Sequence, residues 1–139
     1  MTMKLELSKS QYRSLVKLAL LGNWMANSTK LHEEQDQEFN EITQLVYSLS
    51  KEIEPFDLVE YDKRYKEYFP TRKLEEEAEV VIEEYDNDAF WQELSSRLAH
   101  RDLLREIGPV STLTDKHRER EFEIEEAYQT EFEKNGLKN

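Results

Sequence analysis

Residues 8–27 read SKSQYRSLVKLALLGNWMAN, and this stretch decides the fold class. Ser8 is followed three residues later by Gln11, the capping-box spacing in which each side chain satisfies a free backbone donor at the other's position. From there Tyr12, Leu15, Val16, Ala19 and Trp24 recur at helical spacing, while Lys9, Arg13 and Lys17 form an i, i+4, i+8 stripe on another face. The pattern predicts a helix from Ser8 to about Asn27, with Gly22 its weak point.

Outward from this stretch the same periodicity continues. Phe39, Ile42, Leu45, Val46, Leu49 and Ile53 predict a second helix over roughly His32 to Lys51, stopped by Pro55. Between Pro55 and Pro70, Tyr61, Tyr65 and Tyr68 sit at i, i+4 and i+7, the spacing of a short helix with one aromatic face. Thr71 can cap a third helix carrying Leu74, Ala78, Val81 and Tyr85, and Asp86 or Asn87 can end it and cap a fourth. That fourth carries Phe90, Trp91, Leu94, Leu98, Leu103 and Ile107 and closes at Gly108 and Pro109. Asp115 to Asn135 predicts a last helix with Phe122, Ala127, Tyr128 and Phe132; alternation at Phe122 and Ile124 would permit a strand, but the length favours a helix. Before the first helix, Met3, Leu5 and Leu7 alternate with Lys4 and Glu6, a pattern too short for more than an extended arm. The expectation is a mainly α protein: residues 1–139 as one domain, a bundle of about five helices with a short N-terminal arm.

Composition agrees. Three glycines and three prolines in 139 residues are too few for many hairpins, and that length suits one domain of ordinary size. No cysteine is present, which removes disulfides and thiolate chemistry and fits a reducing compartment. No run approaches the ~18 apolar residues of a membrane span, and Met1–Leu7 has no signal-peptide core, so a cytoplasmic protein without membrane contact is expected. Asn27-Ser28-Thr29 matches a glycosylation acceptor, which carries no weight without a secretory signal. The net charge of −12 argues against nucleic acid as a partner, because phosphate binding needs a basic surface. That charge is uneven: residues 1–31 carry +4 and the remainder −16.

The usual chemical signatures are absent. His32, His100 and His117 have no second histidine four residues away and no Glu three residues before, the helical pairings that hold zinc or di-iron. His32 with Asp36 and His117 with Glu121 share a helical face, where bonding to each other is the ordinary outcome. Asp86-Asn87-Asp88 opens like a calcium loop, but Trp91 stands where its glycine must be, and helix capping explains the residues better. Gly22, Gly108 and Gly136 are too far apart for a phosphate loop, and no glycine-flanked serine nucleophile is present. Lys63, Arg64 and Lys66 interleave the tyrosines as in a base-stacking platform, but Asp57, Glu60, Asp62 and Glu67 cancel their charge. Neither a metal nor another cofactor is expected.

The outstanding feature is residues 74–96, where Glu75, Glu76, Glu77, Glu79, Glu83, Glu84, Asp86, Asp88 and Glu93 occur with no Lys or Arg. The ordinary account is a solvated helix face, partly paired with the basic stripe of the first helix. The sharper account is a docking surface for a basic protein, centred on Glu75, Glu76, Glu77, Glu79, Glu83 and Glu84, since acids this dense repel one another. A carboxylate-dependent hydrolase or isomerase and a nucleic-acid mimic are the alternatives, and a non-enzymatic interaction module is preferred.

Leu21-Gly22-Asn23-Trp24-Met25, Tyr68-Phe69-Pro70-Thr71-Arg72, and Phe90-Trp91-Gln92-Glu93-Leu94 with Arg101-Asp102 resemble segments of a family of small, acidic, uncharacterised bacterial proteins. The likeness spans nearly the whole chain. It implies no activity, because none of these words is tied to a known chemistry.

Overall fold

The computed structural model describes residues 1–138. It is mainly helical: α1 (Lys9–Asn27), α2 (Gln37–Ser48), α3 (Arg72–Ile107) and α4 (Asp115–Asn135), with a hairpin of β1 (Val59–Asp62) and β2 (Glu67–Pro70). Short 3-10 turns, His32–Glu34 and Leu49–Ile53, flank α2. The chain forms two compact units whose boundary falls within α3, after Ile82. No helix of the described residues is long and apolar enough to cross a membrane. Met1–Leu7 belongs to no regular element and is exposed.

In the first unit α1 begins as its sequence demands. Ser8 N–H donates to Gln11 Oε1 at 2.9 Å and Gln11 N–H to Ser8 Oγ at 3.1 Å. Tyr12 and Val16 are buried with Tyr47, Leu58, Val59 and Leu74, and Ala19, Leu20, Val46, Ile53, Phe56 and Tyr68 pack against them. The Tyr12 hydroxyl donates to Val46 O at 2.6 Å, tying α1 to α2. Two of the three stripe cations pair within this unit: Arg13, together with Lys73 from α3, bonds the Asp57 carboxylate, and Lys17 pairs with Glu77 at 2.9 Å.

α2 corrects the expected second helix. The segment breaks at Gln35 and Asp36, where Asp36 caps α2 by accepting from Phe39 N–H at 3.1 Å. Its inward face is mixed: Thr43 and Tyr47 are buried and Val46 packs on the core, while Phe39, Ile42 and Leu45, with Leu49 just beyond the helix, are exposed. The reason is a hydrogen-bonded layer between α1 and α2. Buried Asn27 donates to Asn23 Oδ1 at 2.8 Å and accepts from Asp36 N–H at 2.7 Å, and Asn23 donates to Asn40 Oδ1 and Thr43 Oγ1. These groups satisfy one another, so the polar part of this face can be buried.

The aromatic segment, whose tyrosine spacing is also compatible with a short helix, is a hairpin. Tyr61 and Tyr68 are cross-strand partners in the register Val59↔Pro70, Glu60↔Phe69, Tyr61↔Tyr68, Asp62↔Glu67, with ring centroids 4.9 Å apart. Lys66 takes the left-handed conformation (φ 55°) that closes the turn, and Asp62 Oδ1 accepts from Arg64 N–H at 2.8 Å. The Gln44 side chain closes the outer edge of β2: its amide donates to Tyr68 O and its carbonyl accepts from Tyr68 N–H, both at 2.8 Å.

α3 corrects the expected third and fourth helices, which are one helix of 36 residues, leaving four α-helices among the described residues where about five were expected. Asp86 and Asn87 do not break it. They lower helix propensity by only a few tenths of a kcal/mol each, no Gly or Pro lies between Arg72 and Ile107, and a new helix would need a new nucleus. In the second unit Ala99, Leu103 and Ile124 form the buried core, with Ile107, Leu113 and Tyr128 against it. Thr114 caps α4 by accepting from His117 N–H at 3.3 Å, and the His117 ring accepts from Thr114 N–H at 3.2 Å.

Candidate functional site

The helical rise and turn place the acids of α3 on more than one face. Glu75, Glu79, Glu83 and Asp86 follow an i, i+4, i+8, i+11 row, and Glu77, Glu84 and Asp88 follow a second row that also carries Val81. The predicted residues divide into two groups. Glu76 is held by Arg72 Nε at 2.9 Å and Glu77 by Lys17, whose ammonium draws its carboxyl below the usual range. Glu75, Glu79, Glu83 and Glu84 are exposed and have no ion-pair partner among the described residues. Pairing with the basic stripe of α1 thus reaches one of the six.

From Glu79 to Asp88 every residue is exposed except Ile82, which is half-buried. Three of these residues are large and apolar: Val80 is 66% exposed, Val81 50% and Tyr85 54%. A helix section uncovered on nearly all sides gains little from packing, and here the i, i+4 neighbours Glu75/Glu79, Glu79/Glu83 and Glu84/Asp88 repel. What this surface can do is attract cations along its length and cover apolar side chains at the same time.

Other clusters are structural pairings. Asp57 is held far below the usual carboxylate range by its hydrogen bonds from Arg13 and Lys73. Asp102 is lowered by the Tyr128 hydroxyl and by Arg101, and Glu106 by Arg120, which grips both its oxygens at 2.6 and 2.9 Å. All of these shifts move the carboxyls toward the charged form, the opposite of what a general acid needs. Glu121 pairs with His100 at 3.4 Å, where the sequence suggested His117. No group of three or more His, Cys, Asp or Glu suited to a metal occurs among the described residues.

Two features of this surface carry no local signal in the sequence. The exposed apolar side chains Phe39, Ile42 and Leu45 of α2, with Leu49 just beyond it, have the spacing of a core face, while the helix turns Thr43, Val46 and Tyr47 inward. In the second unit, Asp88 and Trp91 of α3 and Phe132 and Glu133 of α4 line one cleft, some 40 residues apart in sequence. Comparison with protein-family models, with curated proteins and with solved structures gives no match.

Proposed function

We propose that this protein is a non-enzymatic, cytoplasmic association module that docks a basic protein on the acidic section of α3. The observation that carries the reading is the uncovered run Glu79–Asp88, in which Val80, Val81 and Tyr85 stand exposed among carboxylates that have no cation of their own. A basic partner relieves the repulsion along the row and removes apolar surface from water, at about 25 cal/mol per Å² buried. The exposed apolar row of α2 supports association by a separate route, since grouped apolar side chains on a surface mark interaction sites.

The test compares the chain with a variant carrying Glu75→Lys, Glu79→Lys, Glu83→Lys and Glu84→Lys, each immobilised in cell lysate at low and high salt. The native chain is expected to retain basic proteins that are released as salt rises, and the variant to retain none of them. Retention of the same proteins by both chains, or of nothing by the native chain at either salt, overturns the reading. A nucleic-acid mimic is the narrower form of the same proposal, favoured if DNA competes the retained proteins away.

A further inference from the structure

The second unit contains a cleft of about 540 Å³ between residues 87–95 of α3 and 129–133 of α4. Its apolar wall is aromatic: Trp91 and Phe132 meet with centroids 5.3 Å apart and planes tilted by 42°, and Phe132 stacks on Tyr128 at 5.8 Å. Its polar lining holds two carboxylates, Asp88 and Glu133, with the Asn87, Gln92 and Gln129 amides, which accept as well as donate. The Asp88 and Glu133 carboxylates have no ion-pair partner among the described residues. The Gln129 amide group donates to Glu125 Oε1 at 3.4 Å, and its side chain also lines the cleft. Ser95 also lines the cleft; it is wholly buried, and its Oγ has no hydrogen-bond partner. No Lys or Arg contributes to the lining.

A buried hydroxyl without a partner costs stability in the free protein, and a ligand group that reaches it recovers that cost. Acceptors spread around an aromatic face call for a ligand with several donors, a positive charge and a flat surface. Guanidinium has all three: five N–H donors in a plane, a charge that does not titrate away, and weak enough hydration to leave water for an indole face. An ammonium is a compact, strongly hydrated point charge that reaches fewer of these acceptors at once. Two carboxylates beside aromatic rings are too few hard oxygens for a cation such as calcium.

We propose that this cleft seats an arginine side chain of the basic partner, stacked on Trp91 and Phe132 and bonded by Asp88 and Glu133, with Ser95 Oγ meeting it at the floor. The proposal rests on the basic-partner reading for its biological source, but its test needs no partner. Nα-acetyl-arginine amide, Nα-acetyl-lysine amide and the neutral Nα-acetyl-citrulline amide are titrated into the full chain, and the Trp91 indole N–H resonance is followed. The arginine amide is expected to shift that resonance saturably, with lysine and citrulline at least about tenfold weaker. Asp88→Asn with Glu133→Gln is expected to lose about tenfold in arginine affinity. Ser95→Ala is expected to weaken arginine binding by about threefold while raising the unfolding midpoint of the free chain, because the orphaned hydroxyl is gone.

Equal responses to arginine and lysine, no response to arginine, or full arginine affinity in the Asp88→Asn, Glu133→Gln chain overturns the proposal. If that double variant does not fold, the comparison of the three amides on the native chain still decides. A variant carrying only Glu75→Lys, Glu79→Lys and Glu83→Lys, which keeps Glu84 beside Asp88, separates the two readings: it is expected to lose lysate partners and keep the arginine response.

Discussion

Asn27 shows how much one side chain can carry. It is buried, and its amide bonds both ends of the α1–α2 connection, donating to Asn23 and accepting from Asp36 N–H. Asn27→Ala leaves those partners unsatisfied inside the first unit, and a loss of about 1–3 kcal/mol is expected in urea unfolding. A loss near zero would mean that water replaces the amide. Asp57 carries the acid sensitivity of the same unit. Its folded pKa is depressed by Arg13 and Lys73, so its contribution is present above the ordinary aspartate value of about 3.9 and is lost as pH falls from about 5 toward the lowered folded value. The native chain is therefore expected to lose thermal stability over that range more steeply than Asp57→Asn, as read by circular dichroism melts at stepped pH. Parallel curves would remove Asp57 from the account. The capping pair Ser8 and Gln11 was legible in the sequence because both partners lie three residues apart. Arg13 and Asp57 were not, being 44 residues apart with nothing local to join them.

Elements differ in how far their own residues determine them. α1 starts where the Ser8–Gln11 capping box predicts, and α4 ends at the expected Asn135, before Gly136, because end signals of this kind act among neighbours in sequence. The segment of Tyr61, Tyr65 and Tyr68 has spacing that suits a helix and composition that suits a strand, and the cross-strand pair with the Gln44 edge bonds settles it as a hairpin. α2 has the apolar period of a buried helix but turns only Val46 of that row onto the core and leaves Phe39, Ile42 and Leu45 exposed, since burial follows which side has partners. On α3, Glu79 stands i, i+4 between Glu75 and Glu83. Glu79→Lys turns two repulsive pairs into attractive ones, each contributing about 0.2–0.5 kcal/mol in either sense, so slower amide exchange over residues 79–88 is expected. The same substitution is expected to weaken capture of basic proteins. Faster exchange would show that the acids do not burden this helix.

For the whole molecule the dominant quantity is the net charge of −12. Added salt screens both that self-repulsion and the favourable ion pairs, but most of the pairs are exposed and contribute little each, so the repulsion should win. Raising NaCl from low to physiological strength is expected to lift the thermal midpoint by about 3 °C, the size of shift that about 1 kcal/mol gives in a chain of this length. A midpoint that falls would show that the ion pairs outweigh the repulsion.

By itself the sequence determined the helical class, the capping box of α1, the extent of α4 and the base-free acidic run, because propensity, capping and charge are properties of residues and near neighbours. Only the tertiary structure decided which face of α2 is buried, that one helix runs through Asp86 and Asn87, and which acids on α3 remain without a cation. It alone brought Asp88, Trp91 and Ser95 to face Phe132 and Glu133. These outcomes depend on partners far away in the chain, and a periodicity measured along one segment does not record what lies opposite it.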